Sequence, residues 1–390
     1  MPWKVTQPVC QRMLFIAEHV AQEKSVAELC RQYGISRKTG YKWIKRVVQD
    51  GEAGLHERSS APHHCAHRLD PRQADQILAL RAQHPTWGPR KLRFRLARLH
   101  PEHNWPAHST IGELLRRHGL VAARRRRRQA SPTPTPLTAA SAANQVWSVD
   151  FKGHFRTSDG LRCTPLTVLD AYSRFLLGCV GLTGCTGLVQ VQPLFAAIFR
   201  NYGLPAIIRS DNGPPFASTG LAGLTRLSVW WHKLGIIHER IEPGHPEQNG
   251  SHERMHRTLK AETANPPAAT GRAQQLRFVQ FGRIYNYERP HEGIGMATPA
   301  ELYLDSPRPY PAPPVEPVAY PHGWLVRKVK NSGRIKWGGR VLHLTDALTG
   351  EHVGLAPAEE DGWWDIYFGT MLVAHLDETR MMIVPCETEG

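Results

Sequence analysis

Three carboxylates in this sequence sit where a carboxylate does chemistry. Asp150 ends the apolar run Trp147-Ser148-Val149, where no local partner is offered. Asp211 likewise ends Ile207-Ile208-Arg209-Ser210 and runs into the turn sequence Asn212-Gly213-Pro214-Pro215-Phe216. Acids at the carboxyl ends of neighbouring strands converge at the edge of an α/β sheet where ligands bind. A third acid must come from farther on. Glu239, Glu242, Glu247 and Glu253 are the candidates, and the loop over 243–250 leaves the middle two without a fixed direction. Glu253 falls in the first turn of a helix, and Arg257 and Lys260 follow on its face four and seven residues later. Three oxygen-only ligands suit Mg²⁺, with Mn²⁺ as a substitute. Two such ions roughly 4 Å apart activate an attacking hydroxyl and stabilise the leaving oxygen of an in-line displacement, so no nucleophilic side chain is required.

Positioning acids this way takes a sheet flanked by helices. Patterning predicts strands over 146–152, 163–170 and 175–180, a helix over 188–202, a strand over 206–210 and a helix over 225–234. A strand over 236–241 and helices over 249–263 and 272–287 follow, so 144–305 reads as a mixed α/β sheet flanked by helices. Pro-rich residues 306–321 form a linker. Over 322–386, short strands at 324–329, 334–337, 340–344, 352–356, 363–368 and 370–376 predict a small all-β, SH3-like barrel. Lys328, Lys330, Arg334, Lys336 and Arg340 gather on its first half, a surface for DNA or a partner subunit.

Ahead of the sheet the pattern is all-α. Ser25-Val-Ala-Glu28 is a capping box, Gly34 closes that helix and Ser36 opens the next. In this second helix Trp43, Ile44 and Val47 turn inward while Arg37, Lys38, Thr39 and Lys42 turn outward, the layout of a recognition helix in a major groove. Residues 1–58 are therefore read as a helix-turn-helix DNA-binding domain. A second helical DNA-binding domain spans 68–122, with Asp70 as cap, Pro71 at the first helical position, and Arg90 and Lys91 opening a helix rich in Arg and Leu. Ser109 or Thr110 is expected to cap its last helix. The segment 123–143 combines Arg124, Arg125, Arg126, Arg127 and Arg128, a phosphate clamp or a solvated run, with a Ser, Thr, Pro and Ala linker.

Charge follows the same division. Residues 1–130 hold 25 Lys and Arg against 10 Asp and Glu, whereas 131–390 hold 24 against 24. An excess confined to the first third is the footprint of a phosphate-binding region, since a basic surface kept for solubility has no reason to segregate so sharply. The seven cysteines form no CxxC pair and suit reduced thiols. His63-His64-Cys65 with His67 has no second ligand pair, which argues against structural zinc. With no apolar run of membrane-spanning length and no signal-type start, the expectation is a cytoplasmic protein with no membrane association and no small-molecule substrate.

Five motifs carry a resemblance. They are Trp147-Ser-Val-Asp150, Leu169-Asp170-Ala-Tyr172-Ser173-Arg174 and Ser210-Asp211-Asn212-Gly213 with Phe216. Pro243-Gly-x-Pro246-x-x-Asn249-Gly250-x-x-Glu253 and Tyr285-Asn286-x-x-Arg289-Pro290-His291 complete them. Through these, 144–305 resembles the catalytic core of the retroviral-integrase superfamily, specifically the DDE transposases of bacterial insertion sequences. The resemblance implies an RNase H-like fold, Asp150, Asp211 and Glu253 as a catalytic, metal-binding triad, and Arg257 and Lys260 as DNA contacts. The separation of Asp211 from Glu253 is longer than the family's usual spacing, and the surplus falls in the Gly- and Ala-containing stretch 217–226. The paired His and paired Cys of retroviral integrases are absent, and helix-turn-helix units stand in their place.

The implied protein is a nucleoid-associated bacterial transposase. It would bind the terminal inverted repeats of its element, cut a strand with two Mg²⁺ ions, and join the freed end to target DNA. Double-stranded DNA, at element ends and target, and further copies of the chain, as dimer or tetramer, are the implied partners. A catalytically silent, transposase-derived regulator is the alternative, against which the intact acids speak. A simple RNase H-like nuclease would leave the helical units without a role.

Overall fold

Helix boundaries in the first residues follow from single side chains. Ser25 Oγ accepts the Glu28 N–H while the Glu28 carboxylate accepts the Ser25 N–H at 2.9 Å. Gly34, at φ +64°, then ends the helix, and Ser36 Oγ accepts the Thr39 N–H at 3.1 Å to start another. The result is α1 (Pro8–Val20), α2 (Val26–Gln32) and α3 (Arg37–Asp50) around Phe15, Leu29, Cys30 and Ile35. A Cβ on Gly40 of α3 would stand 2.5 Å from Cys30 Sγ, so glycine there lets α3 approach α2. The computed structural model describes residues 8–58, 69–121, 137–311 and 317–386. The chain divides into two units, Met1–Arg68 and Leu69–Gly390.

The second unit opens with α4 (Pro71–Gln83), α5 (Pro89–Leu99) and α6 (His108–Arg117), closed over Trp87, Leu92, Leu96, Trp105 and Ile111. Asp70 caps α4 as expected, through the Arg72 N–H at 2.9 Å. The expected cap of α6 by Ser109 or Thr110 is not what forms: the helix begins at His108, behind Ala107, without a side-chain cap. Both hydroxyl residues lie inside its first turn, where they no longer occupy a cap position.

The central sheet contains β1 (Val146–Phe151), β2 (Phe155–Arg156), β3 (Arg162–Asp170), β4 (Leu176–Thr183), β5 (Ile207–Ser210) and β6 (Ile237–Arg240). The order runs β4-β3-β1-β5-β6, with short β2 against the start of β3. The β1–β3 and β3–β4 pairs are antiparallel, while β1–β5 and β5–β6 are parallel. Its helices are α7 (Leu188–Tyr202), α8 (Arg226–Lys233), α9 (Gly250–Thr263), α10 (Gly271–Tyr287) and α11 (Pro299–Leu302). Trp147, Val149, Val168 and Ile208 pack with Val191, Phe195 and Phe199 of α7 and Trp231 of α8. Cys163, Leu169 and Leu176 pack instead with Met255 and Leu259 of α9 and Phe278 and Phe281 of α10. The mixed α/β, RNase H-like arrangement expected for this region is therefore present.

The final region holds β7 (Leu325–Lys328), β8 (Arg334–Trp337), β9 (Arg340–His343), β10 (His352–Pro357), β11 (Trp363–Phe368), β12 (Met371–Asp377) and β13 (Met382–Pro385). It is all-β, but the expected SH3-like barrel does not close. Five antiparallel strands form an open sheet, β13-β12-β11-β10-β7, while β8 and β9 form a separate ribbon. Leu224 and Val229, from α8 and the turn before it, join the apolar core beside Leu355, Ile366 and Leu376. Apolar surface is thus covered by a neighbouring helix as well as by the sheet itself. Among the described residues no helix is long and apolar enough to cross a membrane.

Asp170 shows what a structural carboxylate looks like in this fold. Fully buried at the end of β3, it accepts the Ser173 N–H at 2.7 Å, the Ser173 hydroxyl at 2.6 Å and the Asn144 N–H at 2.8 Å. Replacing it with alanine strands those donors, and the expected loss is on the order of 2–3 kcal/mol, read as a lower denaturant midpoint for Asp170→Ala.

Candidate active site

The pleat of β1 sorts its side chains. Trp147 and Val149 face the α7 and α8 side, so Ser148 and Asp150 face α9. Asp150 ends 3.5 Å from His256 Nδ1 through its Oδ2, with 23% of its side chain exposed. Its carboxyl is raised from the ordinary aspartate range to about 7, chiefly by burial and then by the negative charge of Asp211. Glu253 pushes the same way, while the Phe151 N–H and the Lys152 ammonium oppose.

Asp211 follows β5, parallel neighbour of β1, and is half-buried. Its Oδ1 accepts the Gly213 N–H at 3.3 Å, and the Asn212 amide donates to the Ile241 carbonyl at 2.7 Å, tying this turn to the end of β6. Glu253 is exposed in the first turn of α9, where the positive end of the helix dipole favours a carboxylate. With Asp150, Lys152, His256, Arg257 and Lys260 it lines a cleft of about 500 Å³. Asp150 and Glu253 therefore share one cleft, and Asp211 acts on Asp150 from beside it.

Carboxyl oxygens from three separate elements are the donors a hard divalent ion takes, and a cation would relieve the repulsion that adds to the burial of Asp150. The donor chemistry fits such an ion. The grouping is looser: among the described residues no three His, Cys, Asp or Glu side chains stand close enough together to hold a metal as they are. Of the other candidate acids, Glu239 is engaged by Arg209 Nε at 2.6 Å and the Thr138 N–H at 2.9 Å. The side chain of Glu247 lies outside the described residues.

Sequence reading passed over the neighbours that hold this face together. His252 and His256, four residues apart on α9, are buried against the sheet. His252 Nδ1 lies 2.9 Å from Ser148 Oγ, and the Nε2 atoms of His252 and His256 lie 2.6 and 2.7 Å from Thr167 Oγ1. Burial lowers His252 to about 3 and, with Lys152 nearby, His256 to about 2, so both rings are neutral near pH 7. The available signal was two histidines at helical spacing opposite hydroxyl and acid residues at strand spacing.

The predicted DNA contacts fall into different settings. Arg37, Lys38 and Lys42 are exposed on α3, whereas Thr39 is half-buried with its hydroxyl 2.9 Å from Ser36 Oγ. Arg90 is exposed and 3.8 Å from Glu292. Lys91 is turned inward, its ammonium lowered to about 8 by burial and then by Arg289. Arg257 and Lys260 are exposed at the cleft. Arg124 to Arg128, and the His63 to His67 cluster, lie outside the described residues.

Known proteins resemble this chain along most of its length. Residues 140–246 and 234–299 each match an integrase core domain, and 325–383 match the C-terminal domain of the IS481 family transposase. A helix-turn-helix domain matches 12–63 and a homeodomain-like domain 39–115. An uncharacterized 31.7 kDa protein of insertion element IS407 from Burkholderia multivorans is 31% identical over 217 residues, 54% of this chain and 75% of that one. The chain belongs to the insertion-sequence transposases with an integrase core. An uncharacterized 39.2 kDa protein of insertion element IS476 from Xanthomonas euvesicatoria is 33% identical over 217 residues. That match spans 54% of this transposase and 60% of its relative's length. The Gag-Pol polyprotein of baboon endogenous virus is 31% identical over 124 residues, 32% of this chain and 7% of that one. A simian T-cell lymphotropic virus intasome chain, solved with the PP2A regulatory subunit B56 gamma, is 19% identical. The alignment covers 80% of this chain and all of that one, at a TM-score of 0.36. At that score the likeness settles nothing about this transposase.

A carboxyl titrating near 7 when folded keeps a proton that the unfolded chain has already released above about pH 4. Its contribution to stability is therefore whole below pH 4 and is lost as pH rises through 7. At about 1.4 kcal/mol for each pH unit between the two titrations, the loss is a few kcal/mol at most. Asp150→Asn removes the charge, so the expected outcome in metal-free buffer is a higher melting temperature than wild type at pH 7.5. The difference should shrink toward pH 4 in melting curves across that range.

Proposed function

We propose that this transposase binds the terminal inverted repeats of its insertion sequence, cuts a DNA strand by hydrolysis and joins the freed 3′-hydroxyl to target DNA. The observation that carries the reading is the electrostatic coupling of Asp150, Asp211 and Glu253 beside a cleft edged by Arg257 and Lys260. Asp150, Asp211 and Glu253 would hold two Mg²⁺ ions, with Mn²⁺ as a substitute. Bound there, such ions lower the pKa of an attacking hydroxyl and stabilise the leaving oxygen in an in-line displacement. Arg257 and Lys260 hold the phosphodiester backbone along α9, orienting the scissile strand over the acids. Water serves as nucleophile for cutting and a DNA 3′-hydroxyl for joining.

In this reading 1–58 and 68–122 are the end-binding domains, 123–143 an Arg-rich linker, 144–305 the catalytic core, 306–321 a Pro-rich linker and 322–386 a strand-rich accessory domain. Arg37, Lys38, Lys42 and Arg90 contact DNA, with Arg124 to Arg128 clamping phosphates. Two element ends are held by a dimer or tetramer of the chain on DNA. The working site is the cytoplasm, on the nucleoid.

Strand transfer is measured with purified full-length protein, the element's own ends and Mg²⁺. Asp150→Asn, Asp211→Asn and Glu253→Gln are each expected to lower the rate by roughly 10²-fold or more while mobility-shift binding of the ends persists. Wild-type transfer by Asp150→Asn removes the assignment. Tight end binding without any transfer by the wild type favours the silent regulator instead. Alanine at Arg37, Lys38 and Lys42 together is expected to weaken end binding and to flatten its salt dependence by about 0.9 in log–log slope for each phosphate that is no longer neutralised.

A further inference from the structure

Two histidines buried against the sheet directly behind Asp150 have no part in the reaction as proposed. Ser148, His252, Thr167, His256 and Asp150 form one file, with successive separations of 2.9, 2.6, 2.7 and 3.5 Å. It draws on three elements, β1, β3 and α9, and Ser148, Thr167, His252 and His256 are each at most 3% exposed. Apolar side chains would fill this space without polar groups to satisfy, so packing alone gives no reason for the file.

Counting hydrogens gives it a direction. Thr167 Oγ1 carries one hydrogen and has three neighbours, the two Nε2 atoms and the Asp150 carbonyl oxygen at 3.1 Å. If Thr167 donates to that carbonyl or to His252, His256 keeps its hydrogen on Nε2 and turns a lone pair toward the Asp150 carboxylate. If it donates to His256 Nε2, that ring holds its hydrogen on Nδ1, aimed at Asp150 Oδ2. Each hydrogen bond then reads donor to acceptor, from Ser148 through His252 and Thr167 to His256, whose ring stands 3.5 Å from the Asp150 carboxylate. Only this order turns a ring N–H toward the Asp150 carboxylate.

We propose that Ser148, His252, Thr167 and His256 are positioning residues: their hydrogen bonds hold the His256 ring behind the Asp150 carboxylate and, by fixing the roll of α9, set Glu253 beside it for a shared divalent cation. The proposal rests on the reading that these acids bind metal. Glu253 directly follows His252. Tethering His252 and His256 to the sheet at two points one helical turn apart leaves α9 no freedom to rotate Glu253 away.

The test uses the full-length chain without DNA and follows Mn²⁺ binding by titration calorimetry. Thr167→Val keeps the shape and removes the hydroxyl, and is expected to weaken Mn²⁺ binding by roughly 10-fold or more, the range typical of partners that orient metal ligands. Thr167→Ser restores the hydroxyl and should bind close to wild type, a rescue that simple packing would not give. Unchanged affinity in Thr167→Val, or a Thr167→Ser as impaired as Thr167→Val, overturns the proposal. Should Thr167→Val fail to fold, Ser148→Ala trims one atom at the far end of the chain; weaker Mn²⁺ binding is expected there too, and unchanged affinity overturns the proposal. A wild-type chain that takes up no Mn²⁺ removes the metal reading and the positioning role together. Binding by wild type and Thr167→Val alike removes only the latter.

Discussion

Side chains of a β-strand alternate between the faces of its sheet, and the candidate site depends on that alternation in β1. Trp147 and Val149 enter the core beneath α7 and α8, which obliges Ser148 and Asp150 to face α9. A shift of one residue in register would bury Asp150 among aromatic side chains and turn Trp147 against α9. The register is held by β3, whose Thr167 pairs with Asp150 and whose Asp170 pairs with Trp147. Parallel pairing of β1 with β5 then brings the chain leaving β5, and with it Asp211, toward the same end of the sheet.

The helices over that face are fastened by polar contacts from the motif residues. Asn286 of α10 accepts the Leu176 N–H at 2.8 Å and donates to the Leu176 carbonyl at 3.0 Å, pairing with β4 as another strand would. Arg289 binds Glu262 at the end of α9 at 2.9 Å, and Thr86 of the preceding helical region joins the same carboxylate. Several family motifs thus mark the scaffold: Asp170, Asn286 and Arg289 spend their hydrogen bonds internally. Asp150 differs from Asp170 in this respect, because its surroundings desolvate it without neutralising it.

That difference carries a cost. Burying Asp150, with the charges of Asp211 and Glu253 adding to the effect, destabilises the folded state at neutral pH. The apolar contacts of Trp147, Phe195, Phe199 and Trp231 on the opposite face provide the stability against which such strain is tolerated. Of the three acids only Asp150 is largely buried, while Asp211 is half-buried and Glu253 is exposed at the cleft.

Much of this was legible in the sequence because it is encoded locally. The capping box at Ser25 and Glu28, the cap at Ser36, the strands ending at Asp150 and Asp211 and the helix bearing Glu253, Arg257 and Lys260 depend on neighbours within a few residues. Segregation of charge into the first 130 residues required only counting. Other features depend on residues far apart in the chain. The apolar core of the last region takes in Leu224 and Val229, which precede its strands by about a hundred residues. The burial of Lys91, with Arg289 nearby, likewise brings together residues far apart in the chain. The file from Ser148 to Asp150 joins residues as much as 104 positions apart, so no local pattern announces it. The sequence by itself determined which elements form and which acids they carry, because backbone preference and side-chain period are short-range. Only the tertiary structure decided which carboxylates remain unsatisfied and what stands behind them, because burial and hydrogen-bond partners exist only once distant segments pack.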